Sequence, residues 1–413
     1  MHLGTLVFVL TYILICMGEN SPRKLDRPTA ALLGAVLMVM TGSLTRAEAM
    51  SAIDLSTISL LFGMMVLLAV LIQSRVPIAF AYKALKRCKN AHALLAGIVF
   101  VSGIASALML NDTVCLLGTP ILLEVVTLAE LPPAPFLLAL ATSSNIGSAM
   151  TLIGNPQNMI IGHLSGWSWS GFALRMAPIG LVCLVVNWLV LSLLFKKQLA
   201  AADMTPVSVS STEIEVKRKL AIRSLIMFAA FIVAIIFGAP MGFAAVATAT
   251  LLLVWSNRPP KLALSMVDWS LLLFFAGLFV VVEGLVKSDR VILEHCLSAL
   301  GTHASFGNIV GWSTATVIGS NIFSNVPFVL IAGHWVNLVK EPKFFWLLLS
   351  LTSTFAGNLT LFGSVANVIV AQRAQEKSPL SFLDFLRVGV PVTIITTAVG
   401  VVMLWWFYLM GWV

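Results

Sequence analysis

The chain has 413 residues, of which 59% are hydrophobic and 10% charged, with a mean hydropathy of +1.00. A water-soluble domain could not carry that composition on its surface, so the chain belongs in lipid. A net charge of +8 would suit nucleic acid only if the basic residues shared one soluble face, and their positions along the chain point elsewhere.

Apolar stretches recur from end to end, close to the roughly 20 residues that cross a bilayer core of about 30 Å. The first, 2–18, has no basic flank before it and no small-residue cleavage site after it, and reads as a retained helix rather than a signal peptide. Spans follow at 28–43 and 56–73, then an amphipathic interfacial stretch at 74–90. A re-entrant pair at 91–109 and 114–129 precedes an interrupted helix at 134–163 and a span at 170–195. Residues 196–219 are polar, charged and rich in Ser and Thr after Pro206, the composition of an exposed linker. The same order then repeats: 220–238, 241–256, 269–286, a pair at 305–322 and 328–339, an interrupted helix at 344–371 and a span at 383–410. The expected organisation is a first repeat over 1–195, a cytoplasmic linker over 196–219 and a second repeat over 220–413.

The repeat is visible residue by residue. Asp54-Leu-Ser-Thr-Ile-Ser-Leu-Leu-Phe-Gly63 aligns without gaps on Asp268-Trp-Ser-Leu-Leu-Leu-Phe-Phe-Ala-Gly277 at an offset of 214, and the same offset carries Asn111 onto Asn325. Thr151-Leu-Ile-Gly-Asn-Pro-Gln-Asn158 matches Thr360-Leu-Phe-Gly-Ser-Val-Ala-Asn367 at an offset of 209. Three matches in one order indicate internal duplication. With each hairpin entering and leaving on one side, each half crosses five times, and an odd number inverts the second half. The predicted fold is therefore an all-α polytopic membrane protein of two inverted five-crossing repeats, each with a re-entrant hairpin and a broken helix, about ten membrane helices plus two hairpins. Under this count one side holds nineteen Lys and Arg and the other six. That asymmetry predicts a cytoplasmic linker and external termini in a bacterial inner membrane, and accounts for the basic charge without nucleic acid.

Broken helices at matching places of inverted repeats are the best sequence pointer to a transport site. The hairpin tips are Leu110-Asn-Asp-Thr113 and Ser320-Asn-Ile-Phe-Ser-Asn-Val-Pro327; the interruptions fall in Ser143–Ser148 with Gly154–Asn158, and in Gly357–Thr360 with Gly363–Asn367. The candidate substrate or ion ligands are Asn111, Asp112 and Thr113 at the first tip and Ser324, Asn325 and Pro327 at the second. The first break adds Ser144, Asn145, Gly147, Ser148, Thr151, Gly154, Asn155 and Asn158; the second adds Gly357, Asn358, Thr360, Gly363, Ser364 and Asn367. Unwound backbone at membrane depth needs protein or a watery cavity around it, so these segments should converge near the midplane. Amides, hydroxyls, free carbonyls and helix dipole ends suit an anion together with a small cation, with Na⁺ expected near Asp112, Asn145 and Asn358.

Each of these residues also has a plainer reading. Gly, Ser and Asn serve close helix packing in membranes. Asp112 either carries a proton or Na⁺, as an intramembrane carboxylate usually does, or caps the second hairpin arm. Glu124 and Glu283 lie in apolar runs, the former near an interface, and His334 suits a packed histidine. Trp167, Trp169, Trp405, Trp406 and Trp412 suit an interfacial belt. Cys16, Cys88, Cys115, Cys183 and Cys296 lack CxxC spacing and read as packing residues, not as a metal site or disulfide framework.

Asn111-Asp-Thr113 with Thr119-Pro120, Ser144–Asn158, Ser324-Asn-Val-Pro327 and Ala356–Asn367 together resemble the ion transporter superfamily of citrate-type permeases, arsenite permeases, divalent-anion/sodium symporters and one class of sodium/proton antiporter. The resemblance covers almost the whole chain. It implies a scaffold domain that often forms homodimers, a transport domain that moves like an elevator, a small ionic substrate, and no cofactor beyond a coupling H⁺ or Na⁺. Dicarboxylate members carry Ser-Asn-Thr at both tips; this chain has Asn-Asp-Thr and Ser-Asn-Val-Pro, which favours a proton-coupled or less charged substrate. The expected function is secondary transport of a small inorganic or organic anion, with arsenite efflux or sodium/proton exchange as alternatives and a channel as the different class. An embedded enzyme would need HExxH or paired intramembrane aspartates, and neither is present.

Overall fold

The computed structural model describes residues 3–17, 25–85, 88–201, 215–289 and 298–413. Among them every regular element is helical. The first half holds α1 (Leu3–Met17), α2 (Arg27–Met40), α3 (Arg46–Ala52), α4 (Leu55–Gln73), α5 (Val76–Leu85), α6 (Ala91–Leu108), α7 (Asn111–Leu128), α8 (Pro133–Ser148), α9 (Pro156–Ser165), α10 (Trp169–Leu194) and α11 (Lys196–Ala201). The second half holds α12 (Arg218–Ile236), α13 (Met241–Trp255), α14 (Pro260–Leu264), α15 (Trp269–Ser288), α16 (Phe306–Phe323), α17 (Asn325–Val336), α18 (Pro342–Ala356), α19 (Val365–Ala374) and α20 (Phe382–Leu409), with a 3₁₀ turn at Leu361–Gly363. Seven of these, α4, α6, α7, α10, α12, α15 and α20, are long and apolar enough to cross a membrane. Exposed Leu193 on α10 and Val254 on the shorter apolar α13 are suited to acyl chains rather than water.

The chain divides into two compact units, each drawing on both halves. The first comprises Met1–Val70, Arg223–Trp312 and Val326–Phe345, and the second Leu71–Ile222, Ser313–Asn325 and Trp346–Val413.

In the first unit the duplication is built into the packing. A Cβ on Gly63 would lie 2.5 Å from the backbone of Ala245, and one on Gly277 would lie 2.8 Å from the backbone of Ala31. Both the glycines and the alanines are 214 residues apart, so each half's third span meets the other half's second span backbone to backbone. Only glycine permits that approach, the usual device for joining helices in lipid. The helix starts are duplicated too: Asp54 Oδ1 accepts from the Thr57 N–H at 3.2 Å and Asp268 Oδ1 from the Leu271 N–H at 2.9 Å. At the edge of this unit α3 opens with a capping box of Thr45 and Glu48. Lys287 Nζ donates to Glu48 Oε1 at 2.6 Å. This bond, seconded by the Thr45 N–H, lowers the exposed Glu48 carboxyl from 4.5 to about 2.

The second unit carries both broken helices. A Cβ on Gly147 would lie 2.0 Å from Gly103 O, so α6 and α8 also touch through backbone. Asn90 caps α6 through the Ala93 N–H at 2.7 Å, and Ser168 caps α10 through the Gly171 N–H at 3.1 Å. The Arg175 guanidinium lies 4.7 Å from the Trp167 ring centroid and donates to Trp412 O at 2.5 Å, which pins the chain beyond α20 to the start of α10.

In the linker region α11 covers Lys196–Ala201 and α12 begins at Arg218; residues 202–214 lie outside the described segments. Two details differ from expectation. Asp112 and Thr113 belong to the first turn of α7 rather than to an open tip, since the helix restarts at Asn111. Ser143–Ser148 remains helical, and the first interruption is confined to 149–155. There Asn155 caps α9 by accepting from the Asn158 N–H, and Pro156 takes the first helical position, where its missing N–H costs nothing. The side chain of Cys16 and all of Cys296 fall outside the described residues; Cys88, Cys115 and Cys183 form no disulfide.

Candidate functional site

All the candidate residues except Pro327 lie in the second unit; Pro327 falls in the first. The centre of the cluster is Asn145, an amide with two donor and two acceptor positions, all of them used. Its Nδ2 donates to Asn358 Oδ1 at 2.9 Å and Asn367 Oδ1 at 3.0 Å. Its Oδ1 accepts from Asn111 Nδ2 at 3.1 Å and Ser364 Oγ at 3.0 Å. One side chain thus ties the first hairpin tip to both sides of the second break.

The first tip is pinned by its backbone. The Asn111 N–H donates to Gly154 O at 3.0 Å, and Asn111 O accepts from Ser144 Oγ at 3.1 Å. Ser144 in turn accepts from Ser106 Oγ at 3.0 Å. At the second tip a Cβ on Gly357 would lie 3.3 Å from Asn325 Nδ2 and 3.2 Å from Ser364 Cβ, so Asn325 lies against the second break. Asn325 and Ser364 thus both neighbour Gly357, and hydrogen bonds run on from Ser364 through Asn145 to Asn111.

The two breaks are braced alike. Asn158 Nδ2 donates to Ser148 O and Thr151 O at 3.2 and 3.1 Å; Asn367 Nδ2 donates to Gly357 O and Thr360 O at 2.7 and 3.1 Å. Cross-links join the halves. Ser350 Oγ donates to Asn158 Oδ1 at 2.7 Å, Asn155 Nδ2 to Thr354 Oγ1 at 3.3 Å, and Asn358 Nδ2 to Thr142 O at 3.3 Å. The breaks differ in access: Thr142–Gly162 are buried throughout, whereas Leu359 and Thr360 are partly open and Phe362 is exposed.

Every hydrogen bond named here joins Asn, Ser, Thr or backbone groups, so these bonds involve no formal charge. Two acceptors in this network are unused. Asn111 Oδ1 and Asn325 Oδ1 are buried and accept no hydrogen bond, in residues only 5% and 8% exposed. A buried carbonyl without a donor costs about 1–3 kcal/mol, so the pair indicates a place for a hydroxyl-bearing molecule or a cation. Asp112 and Thr113, both half-buried, stand beside Asn111 in the first turn of α7, where helix N–H groups favour a negative charge. Ser324 adopts a left-handed backbone, φ 71°, at the second tip. No group of three His, Cys, Asp or Glu able to hold a metal ion occurs among the described residues. Glu124 is exposed, Glu283 half-buried, and His334 Nδ1 lies 2.9 Å from Leu330 O.

Some contributors were not candidates from sequence. Asn321 donates to Ala356 O at 2.9 Å and accepts from Thr360 Oγ1 at 3.1 Å, fastening the second hairpin to the second break. Its presence in the polar run before the second tip was a usable signal. Thr142, Ser350, Thr354 and Gln157 join through cross-links that no linear spacing announces.

The fold and this polar, helix-broken centre define a multi-pass helical membrane transporter, and comparison with known proteins agrees. The profile of the citrate transporter family matches residues 12–339, and the chain belongs to that family. It is 33% identical to a 46 kDa membrane protein of Mycobacterium leprae, over 98% of each chain. It is 30% identical to the silicon efflux transporter LSI3 of rice, over 97% of this chain and 96% of that one. It is 28% identical to the putative transporter arsB of Dictyostelium discoideum, over 96% and 91%. The crystal structure of the Alcanivorax borkumensis YdaH transporter shares the fold, with a TM-score of 0.63, 14% identity and coverage of 99% and 97%.

Proposed function

We propose that the chain is a secondary active transporter of a small oxyanion or its protonated acid, coupled to H⁺ or Na⁺. The observation that carries this reading is the pair of unused buried oxygens, Asn111 Oδ1 and Asn325 Oδ1, in an otherwise satisfied, uncharged network. A di- or tricarboxylate would look for fixed cations there. A protonated oxyacid brings hydroxyl donors for the two oxygens, and the amide and hydroxyl groups answer its own oxygens. The arsB-like and silicon efflux relatives are consistent with that chemistry. The same two oxygens would also suit dehydrated Na⁺, which favours sodium/proton exchange as the second reading.

In this proposal the unit holding the network carries the substrate by an elevator-type movement, and the other serves as scaffold and homodimer contact. The two termini lie outside a bacterial inner membrane and the 196–219 region inside, following the Lys and Arg distribution. The first and second repeats occupy 1–195 and 220–413.

The test is flux in proteoliposomes loaded with arsenite, silicate or citrate under imposed H⁺ or Na⁺ gradients. Saturable, counterflow-competent movement of an oxyacid, with a raised half-saturation concentration in Asn325→Ala, is expected. Citrate flux without oxyacid flux would sink the substrate reading, and non-saturating flux far faster than a conformational cycle would indicate a channel.

A further inference from the structure

A second group of oxygens is gathered around Asn187. This residue sits in the middle of α10, fully buried. Its Nδ2 donates to Thr142 Oγ1 at 3.0 Å and Ser143 Oγ at 2.9 Å, while its Oδ1 accepts nothing. An asparagine at this depth in an apolar span is costly unless it is used.

The helix packed beside α10 brings two more idle groups. Thr393 and Thr397 on α20 are 2% and 9% exposed, and neither hydroxyl has a hydrogen-bond partner. Buried helical threonines in this chain ordinarily donate back to the carbonyl four residues earlier, as Thr396 does to Val392 O at 2.7 Å. Thr393 and Thr397 keep theirs uncommitted.

Register places these groups together. Arg175 reaches Trp412 O and Cys183 Sγ reaches Thr396 O, so α10 and α20 run antiparallel. One turn on from Cys183, about 5.4 Å, Asn187 comes level with Thr393. One turn from Thr393 is Gly389, where a Cβ would meet Asn358 O at 2.3 Å and Leu359 O at 2.7 Å. Those carbonyls follow the C-terminus of the half-helix α18, the negative end of its dipole. Asn358 returns to Thr142 through its own amide, closing the ring.

We propose that Asn187 Oδ1, Thr393 Oγ1 and the carbonyls of Asn358 and Leu359 form a second site, for a small dehydrated monovalent cation such as Na⁺. The donor set is oxygen only, the chemistry that hard cations take. Half-helix C-termini and unwound carbonyls are where membrane carriers accommodate such ions. Thr397 lies one turn beyond Thr393 on α20. The site does not depend on which substrate the Asn145 network takes.

The experiment uses the full-length protein in detergent and follows the thermal unfolding midpoint as NaCl replaces choline chloride at constant ionic strength. Na⁺ is expected to raise the midpoint. Loss of even an outer partner costs about 10- to 100-fold in metal affinity, so Thr393→Val should raise the half-effective Na⁺ concentration by at least about tenfold. Thr393→Ser, which keeps the hydroxyl, should restore the response, and Asn325→Ala at the hairpin-side network should retain it. Asn187→Leu should behave like Thr393→Val; if it fails to fold, the Val and Ser pair decides. The proposal is overturned if the unaltered protein shows no Na⁺-specific shift. It is equally overturned if Thr393→Val responds as the unaltered protein does, or if Asn325→Ala alone abolishes the shift.

Discussion

Asn158 and Asn367, 209 residues apart in sequence, make the same two hydrogen bonds, each amide reaching back ten and seven residues to bridge the carbonyls of its own helix break. The Oδ1 atoms also accept across the halves, from Ser350 at 2.7 Å for Asn158 and from Asn145 at 3.0 Å for Asn367. Duplication is thus preserved as geometry where the sequence match is only four residues in eight.

Replacing Asn158 with alanine leaves Ser148 O and Thr151 O unpaired, whereas replacing Asn367 leaves only Gly357 O unpaired because Thr360 O keeps the Gly363 N–H, at about 1–3 kcal/mol for each carbonyl. Asn158→Ala should therefore lower stability by about 2–6 kcal/mol and Asn367→Ala by about 1–3 kcal/mol, read as earlier thermal unfolding in detergent. Asn367→Ala should also weaken substrate binding more, because it frees one of the four bonds that orient Asn145. A loss below about 0.5 kcal/mol in both, the range of ordinary surface changes, would show that the brackets are incidental.

The Glu48–Lys287 pair makes a pH prediction for the first unit. The folded carboxyl is lowered from 4.5 to about 2. Its contribution is therefore complete above about 4.5 and is lost as pH falls toward 2. Glu48→Gln should destabilise slightly near neutrality, and the difference from the unaltered protein should vanish on acidification. Both groups are well exposed, so added salt should shrink the difference. A deficit that persists undiminished in acid would mean that the capping of α3, not the ion pair, is responsible.

The sequence showed where the helices break because Gly, Asn and Pro at Gly154-Asn-Pro156 and Gly363-Ser364 interrupt apolar runs, and these residues act locally. Ser143–Ser148 misled for a related reason: Ser and Gly there mark close packing, and the helix continues because Gly147 lies against Gly103. The roles of Ser350, Thr354 and Asn187 were not legible. A hydroxyl in a membrane helix ordinarily bonds its own backbone, as Thr352 does to Leu348 O. Only tertiary packing tells which ones turn outward to a partner. The two compact units were hidden too, because each takes segments from both halves.

Ser324 supplies a test of strain at the second tip. Its φ of 71° places a side-chain-bearing residue in the left-handed region, which costs roughly 1–2 kcal/mol for a residue other than glycine. Ser324→Gly should raise thermal stability by up to about 1 kcal/mol after the entropy of the unfolded glycine is offset, and Ser324→Val should lower it by more. If glycine destabilises, the Ser324 side chain contributes more to the native state than its backbone strain costs.

Asp112 is the acidic residue in the first turn of α7, next to Asn111 and its unused Oδ1. The half-buried carboxylate stands where the N–H groups of the helix start favour a negative charge. Neither hairpin tip nor either break contains Lys or Arg. Asp112→Asn keeps the size and removes the titratable group. In proteoliposomes it should abolish gradient-driven net flux while leaving the unfolding midpoint within the scatter of surface variants, about 0.5 kcal/mol, and leaving substrate exchange at equal concentrations measurable. Asp112→Glu should retain part of the gradient response. A folded Asp112→Asn protein that responds to H⁺ and Na⁺ gradients as before would reduce Asp112 to a helix cap, and coupling would then have to arise from the carbonyls and hydroxyls of the breaks.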